Sequence, residues 1–365
     1  MDKGLVLLCA GGTGGHLFPA EAVAHELVSR GYRVHLAADH RVERFAENFP
    51  AEKIHQIRSA TLGSKNPVAI AKTVLALVSG YAQSRKLLKQ LNPVAVAGFG
   101  GYPTVPPLLA ASMAGIPTLI HEANAVLGRA NRMLSRRVSK VAMGFGEANP
   151  VGDKAIIVTG NPVRPAILAA SQKPFPDRAA TDRFNLLVFG GSQGAAFFGD
   201  VVPKAIAILP QQTRELLHVV QQARPEDKEQ VMAAYRKLGV QAVVDSFFGD
   251  MASLLSDAHF VVSRAGASTV SELAVVGRPA ILVPYPHALD HDQAANAELM
   301  ARAGGVSIEP QAGLTPERLA AAISEMVADP KKLAIAAENA KKTGKPDATS
   351  ELAGMIEQLA LQRST

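Results

Sequence analysis

The sequence predicts an α/β protein built of two similar parallel-sheet domains in tandem. Three observations carry that expectation. Short apolar runs alternate with segments of helical period. Glycine-rich turns stand where an apolar run gives way to a helix, at 11–15 and again at 190–194. Between the halves lies Asn161-Pro162-Val163-Arg164-Pro165, whose two prolines interrupt regular structure.

Taken in order, Leu5–Ala10 reads as a buried strand, Gly11-Gly12-Thr13-Gly14-Gly15-His16 as the turn, and Ala20–Ser29 as a helix. Further strands are expected at Arg33–Ala37, Val94–Ala97, Thr118–His121, Lys140–Met143 and Ala155–Val158. Glycines follow the strand ends, at Gly98, Gly100 and Gly101, and the stretch from Glu122 to Gly128 follows the next. Ligands of open α/β sheets bind at the carboxyl ends of strands, so the special residues share one edge. The second half repeats the plan. Asn185–Phe189 is a strand, Gly190-Gly191-Ser192-Gln193-Gly194 its turn, and Phe197–Leu209 a helix. Strands at His218–Val220, Ala242–Val244, Phe260–Ser263 and Ala280–Val283 follow, with another turn and helix from Arg264 to Glu272. The tail, Thr349–Gln362, reads as an amphipathic helix. The domains are expected at 1–160, with 345–365 returning to them, and at 161–344.

Composition sets bounds. The chain has 365 residues, 48% hydrophobic and 19% charged, which fits a globular protein of two or three domains. Cys9 is the single cysteine and lies in the first strand, so an internal disulfide is excluded and a reducing compartment is expected. Its apolar setting suits a small buried hydrophobe better than a nucleophile. No signal peptide is expected, and no run approaches the ~20 apolar residues of a spanning helix. Charge is unevenly placed. Between Glu52 and Glu147 twelve basic residues meet one carboxylate, Glu122. That span carries +11 and leaves −5 for the rest of a chain whose net charge is +6. Such a field suits an anionic partner: an acidic membrane, a phosphate-bearing substrate or, last, nucleic acid, for which no motif is present. Within it, Val68, Ala71, Val74, Leu75, Val78 and Tyr81 recur at helical spacing beside Lys65, Lys72, Arg85, Lys86 and Lys89. This segment reads either as a core-facing helix with a solvated face or as a helix lying in a lipid headgroup layer.

The turns suggest the chemistry. Gly190–Gly194 and Gly266–Thr269 offer backbone N–H groups at helix starts, and Ser192, Ser268 and Thr269 add hydroxyls. Together they suit a nucleoside diphosphate held without metal. Arg164 and Arg264 suit charge-assisted bonds to it. Glu272 suits a ribose diol, or is a carboxylate answering a helix dipole. A dinucleotide oxidoreductase is disfavoured, because Leu17 and Gln193 stand where Gly-x-Gly-x-x-Gly needs glycine. A metal site is not expected: His287 and His291 are the nearest to a ligand pair and lie in a proline-bounded stretch. His16 is the candidate general base, since an imidazole titrates near neutrality. Glu122 is a second candidate, or a structural partner of a nearby arginine.

Six stretches together resemble the MurG family, the peptidoglycan N-acetylglucosaminyltransferases of glycosyltransferase family 28. They are Gly11 to His16, Gly100-Gly101-Tyr102, His121 to Val126, Gly160 to Arg164, Gly190 to Gly194, and Arg264 to Glu272. They run in order over nearly the whole chain. The resemblance implies a GT-B fold: two Rossmann-like domains facing across a cleft, with the last helix returning to the first domain. It implies inverting transfer of N-acetylglucosamine from its UDP donor to the muramic acid 4-hydroxyl of a lipid-linked muramyl pentapeptide. No cofactor is implied. Other partners implied are anionic inner-membrane lipids and other cell-wall synthesis and division proteins, at the cytoplasmic face of the inner membrane.

By the same resemblance, Phe248 and Met251 meet uracil and Glu272 meets ribose. Arg164, Ser192, Ala267 and Ser268 surround the diphosphate; Arg264 stays a donor-binding candidate on the charge argument above. Asn124, Gln293 and Asn296 hold the sugar. Thr13 and Gly14 reach the donor, Thr13 also facing the acceptor with His16. Gly12, Gly15, Gly101 and Tyr102 serve the acceptor. Ala123 and Asp292 depart from glutamines common in the family, Ser268 from leucine and Phe248 from isoleucine. A different GT-B enzyme acting on UDP-sugars, a glycolipid synthase or an epimerase, and a non-catalytic sugar-nucleotide binder are the alternatives.

Overall fold

A computed structural model describes residues 2–44, 49–60, 66–146, 155–191, 196–286 and 292–364. The chain forms two compact units, residues 1–164 with 346–365, and residues 165–345.

The first unit is built on a seven-stranded parallel sheet. Its strands are β1 (Leu5–Ala10), β2 (Arg33–Ala38), β3 (Lys53–Gln56), β4 (Ala95–Gly98), β5 (Thr118–Glu122), β6 (Lys140–Met143) and β7 (Ile156–Val158). They lie in the order β3-β2-β1-β4-β5-β6-β7. Its helices are α1 (Gly14–Ser29), α2 (Pro67–Leu91), α3 (Val105–Met113) and α4 (Arg129–Leu134). β1 explains why the sheet must be covered twice. All six of its residues are buried. Val6, Leu8 and Ala10 enter a core that includes Leu17, Val23 and Leu27 of α1. Leu7 and Cys9 enter the opposite core with Leu88, Leu108 and Ile120.

The second unit holds a six-stranded parallel sheet in the order β10-β9-β8-β11-β12-β13. The strands are β8 (Phe184–Phe189), β9 (Leu217–Gln222), β10 (Gln241–Asp245), β11 (Phe260–Ser263), β12 (Ala280–Leu282) and β13 (Val306–Ile308). Its helices are α5 (Pro165–Ser171), α6 (Ala196–Ile208), α7 (Gln211–Leu216), α8 (Lys228–Lys237), α9 (Met251–Asp257), α10 (Ala267–Val276), α11 (Asp292–Arg302), α12 (Pro316–Ala328) and α13 (Pro330–Lys342). The last helix, α14 (Ala348–Ser364), belongs to the first unit. Leu352, Ile356 and Leu359 complete the α1-side core. Glu357 pairs there with Lys3 at 2.8 Å and Arg30 at 3.3 Å.

The α/β class and both parallel sheets stand as expected. Three details differ. The first helix starts at Gly14, not Ala20, and carries Pro19 inside it. Pro19 lacks the N–H that would reach back one turn, so one helix bond is forgone. The strands β3 and β13 have no counterpart in the expected set. β3 reads Lys-Ile-His-Gln, is mostly exposed, and lies at a sheet edge where no apolar run is demanded. β13 is three residues long and also an edge. The helix α2 is divided along its length. Its C-terminal half sends Leu88 into the core, while Val74, Leu75 and Val78 are 49%, 68% and 60% exposed.

Candidate active site

Both sheets reverse strand order at one place. In the first unit the reversal lies between β1 and β4; in the second, between β8 and β11. A crevice opens outside the strand ends at such a switch point, and ligands bind there. Each of the four strands is followed by one of the special turns: 11–15, 98–101, 190–191 and 264–266.

In the first unit the two turns touch. Gly11 N–H donates to the Gly100 carbonyl at 3.0 Å. Gly100 and Gly101 hold φ of +94° and +82°, conformations that favour glycine. A Cβ on Gly100 would stand 2.9 Å from His16 Cδ2. His16 is therefore seated against bare backbone. Its Nδ1 is 3.0 Å from Thr13 Oγ1. The protein around the ring pushes the His16 pKa below its ordinary value; Glu122 opposes the shift, Arg41 adds to it and Asp39 opposes it. The imidazole is thus neutral near pH 7.

Gly12 and Gly15 differ in kind. A Cβ on Gly12 would lie 2.3 Å from Asp39 Oδ1 and 2.6 Å from Arg41 Cβ. Gly15 is exposed, with no described atom within 4 Å of that position. Asp39, buried at the end of β2, accepts from Arg41 N at 3.0 Å and from its guanidinium at 2.6 and 3.0 Å. Sequence reasoning passed over this pair. Its signal was a carboxylate directly after a buried strand.

Glu122 ends β5 and is buried. One oxygen accepts from Asn124 N at 3.0 Å and Asn124 Nδ2 at 3.1 Å; the other accepts from Gly128 N and Asn131 Nδ2, both at 2.9 Å. Amide donors, not an arginine, occupy both oxygens, and the carboxylate shapes the loop that carries Asn124. Asn161 serves the same loop, donating to Ala123 O at 2.8 Å. Neither Asn131 nor Asn161 was singled out for this work, since an asparagine after a strand has no distinctive spacing. Tyr102 is partly exposed and opens a short 3₁₀ turn after Gly101. The guanidinium of Arg164 lies 5.1 Å from the ring centre of Phe18 in α1.

In the second unit, Ser192 lies outside the described residues, as do Gln193, Gly194, His287 and His291. Gly191 has φ of +84°, and no described atom lies within 4 Å of where its Cβ would stand. Gly190 N–H donates to Gln222 Oε1 at 3.2 Å, and Gln222 Nε2 to the Ser246 carbonyl at 3.1 Å. Gln222, also passed over, thus joins the ends of β8, β9 and β10. At α10, the cap Gly266 offers no side chain, and Val270 is the first N–H bonded back, to Gly266 O at 2.9 Å. The N–H groups of Ala267, Ser268 and Thr269 have no acceptor within the helix. Ser268 Oγ is buried and has no hydrogen-bond partner among the described residues. Three donors and an orphaned hydroxyl fit an anion. Glu272, the sixth residue of α10, is buried. Phe248 and Met251 are partly buried beyond β10. Asn296 is buried on α11 and donates to Ala265 O at 3.3 Å, while Gln293 Oε1 accepts from Tyr285 N at 2.9 Å. Among the described residues no cluster of three metal-ligating side chains occurs.

Two Rossmann-like units, each with its glycine turns at a switch point, form the frame of an enzyme of nucleotide-sugar type. The chain belongs to glycosyltransferase family 28: residues 6–143 match the family's N-terminal domain and 185–352 its C-terminal domain. A curated relative from Agrobacterium fabrum is 55% identical over 365 residues, covering 100% of this chain and 97% of the relative. One from Rhizobium meliloti is 55% identical over 361 residues, covering 99% and 96%. Both are named UDP-N-acetylglucosamine–N-acetylmuramyl-(pentapeptide) pyrophosphoryl-undecaprenol N-acetylglucosamine transferase. The crystal structure of Acinetobacter baumannii MurG is similar at a TM-score of 0.77 and 31% identity, covering 97% of this chain and 99% of that one. A UDP-GlcNAc 2-epimerase from Neisseria meningitidis shares the fold, at a TM-score of 0.67 and 17% identity over 97% of this chain and 100% of that one.

Proposed function

We propose that this chain transfers N-acetylglucosamine from UDP-N-acetylglucosamine to undecaprenyl-pyrophosphoryl-N-acetylmuramyl pentapeptide, forming the disaccharide lipid precursor of peptidoglycan. The observation that carries the reading is identity of about 55% along the whole chain to transferases named for that reaction. In the first unit, His16 is the general base. With its Nδ1–H donating to Thr13 Oγ1, Nε2 keeps a lone pair and takes the proton of the muramic acid 4-hydroxyl. That oxygen bonds to the anomeric carbon as the carbon–oxygen bond to UDP breaks, in one displacement with inversion. UDP leaves with the electron pair, and its charge meets the first-turn N–H groups of α10 and the hydroxyl of Ser268. In the second unit Glu272, Phe248 and Met251 hold the nucleoside and Gln293 and Asn296 the sugar; Asn124 and Arg164 are the donor residues carried by the first unit. Gly12, Gly15, Gly101 and Tyr102 serve the acceptor, and Glu122 acts through the Asn124 loop.

The test is UDP release with and without the lipid-linked acceptor. Release that needs the acceptor supports transfer; equal release without it points to an epimerase or hydrolase. His16→Ala should lose about 10²–10⁴-fold in kcat, the usual worth of a general base. A variant with full activity would remove His16 from that role.

The basic span supports docking on an anionic membrane at the cytoplasmic face. Val74, Leu75 and Val78 of α2 and Met113 of α3 are exposed, next to Lys72, Arg85 and Lys89. No described helix is long and apolar enough to cross a membrane. Each Lys or Arg near anionic lipid contributes about 1 kcal/mol. Neutralising Lys72, Arg85 and Lys89 together should weaken binding to phosphatidylglycerol vesicles, as should salt. Unchanged binding would reject the docking face.

A further inference from the structure

Arg264 directly follows β11, at the switch point of the second unit. Its position suits a donor ligand, yet its guanidinium is engaged within the protein. Nη1 donates to the carbonyls of Val283 at 3.2 Å and Pro284 at 3.3 Å. Nη2 donates to Gln311 Oε1 at 2.6 Å. Three rings surround the same group: Phe198 at 5.2 Å, Tyr285 at 5.5 Å and Phe197 at 5.7 Å from its central carbon. Arg264 is 9% exposed.

These partners come from different segments. Phe197 and Phe198 open α6, after the Gly190 turn; Val283 to Tyr285 follow β12; Gln311 follows β13. One side chain thus ties together four segments along the carboxyl edge of the sheet. The tie continues to α11, because the backbone N–H of Tyr285 is bonded to Gln293 Oε1 at 2.9 Å. Gln293 and Asn296 are the residues assigned to the sugar. The anion donors, by contrast, are N–H groups of the first turn of α10, fixed by the helix itself.

We infer that Arg264 is a positioning residue for sugar selection: it fixes the Val283–Tyr285 segment, and through it Gln293, so that the transferred hexosamine is told from its epimers. The inference rests on the donor reading above. It requires that diphosphate and sugar respond separately to loss of the guanidinium. A lysine ammonium cannot replace it, because a compact point charge lacks the planar fork that reaches two carbonyls and an amide from among three rings.

The experiment compares wild type, Arg264→Met, Arg264→Lys and Gln311→Ala in the full chain. Binding of UDP and of UDP-N-acetylglucosamine is measured by calorimetry, and transfer is measured with UDP-N-acetylglucosamine and UDP-N-acetylgalactosamine. Arg264→Met should weaken the sugar's contribution to binding and narrow the kcat/KM ratio of the two donors by ~10–100-fold, the scale of a small misplacement of a positioned group. UDP alone should bind within about threefold of wild type, well under the 1.4 kcal/mol that tenfold represents. Arg264→Lys should resemble Arg264→Met, and Gln311→Ala, which keeps the cation, should shift selectivity the same way by less. Equal weakening of UDP would overturn the inference and make Arg264 a diphosphate ligand. Unchanged selectivity in Arg264→Met, or in Gln311→Ala should Arg264→Met not fold, would overturn it as well. Wild type that binds no UDP-N-acetylglucosamine would instead refute the donor reading itself.

Discussion

Gly12 and Gly15 look alike in the sequence, and the structure sets them apart sharply enough to predict opposite results for the same change. In Gly12→Ala the new methyl must enter space held by Asp39 Oδ1 at 2.3 Å, Arg41 Cβ at 2.6 Å and Arg41 backbone carbon at 2.9 Å. Real Cβ atoms do not approach that closely. Asp39 cannot swing aside cheaply, since it is buried and accepts three hydrogen bonds from Arg41. The segment must shift, at a cost of about 1–3 kcal/mol for overpacking. Gly15→Ala meets no described atom within 4 Å, and Gly15 is the second residue of α1. Alanine there gains up to ~1 kcal/mol, from helix propensity and a less mobile unfolded chain. Its methyl, however, projects into the space proposed for the acceptor. Thermal unfolding and acceptor kinetics read the two effects apart. Gly12→Ala should lower Tm by about 2–4 °C for each kcal/mol in a domain of this size. Gly15→Ala should hold or raise Tm while raising the KM for the lipid acceptor. A Gly12→Ala protein as stable as wild type would refute the steric argument. A Gly15→Ala protein of unchanged acceptor kinetics would refute the assignment of that open space.

If His16 is the base, transfer needs it neutral, so kcat/KM should fall as pH drops through its pKa. Because burial holds that pKa below the ordinary 6.5, the acid limb should centre below pH 6.5; a limb centred above 7 would contradict this. Stability should show its own acid sensitivity. Desolvation pushes His121 and His259 down to about 4, with the Gly160 carbonyl and Glu122 opposing at His121, and Arg178 and Arg278 adding to the shift at His259. The unfolded chain, with pKa near 6.5, takes up protons first as pH falls. Stability present above pH 6.5 is therefore lost between 6.5 and 4, by roughly 3 kcal/mol for His121. Urea midpoints that do not change over that window would refute it. Arg278 is 1% exposed, and its four hydrogen bonds reach the carbonyls of Leu255 and Ser256 in α9 and of Val276 and Gly277 at the end of α10. Arg278→Met strands those carbonyls and should cost about 3–5 kcal/mol in equilibrium unfolding. A loss under 1 kcal/mol would show that water replaces the guanidinium.

Much of this was legible before any coordinate. Leu5–Ala10 reads as a strand covered on both faces, since six successive apolar residues suit neither a half-exposed strand nor a surface helix. The alternation of such runs with helical periods required parallel strands, and the glycine turns marked their carboxyl ends. The family, too, was legible, because its motifs are contiguous and ordered. What the chain concealed depended on contacts between distant segments. Nothing local to Gly12 announces Asp39, twenty-seven positions on; only the pairing of β1 with β2 brings them together. The exposure of Val74, Leu75 and Val78 depended on where α2 leaves the sheet, since an apolar stripe looks the same against core or solvent. Arg264 is the clearest case. An arginine beside a glycine turn suggests a phosphate partner, and its direction was set by three rings and a glutamine from elsewhere in the unit. A sequence fixes which groups a residue carries and the period in which they recur. Which of them meet is decided by strand order and packing, and here strand order reverses beside the turns that carry the chemistry.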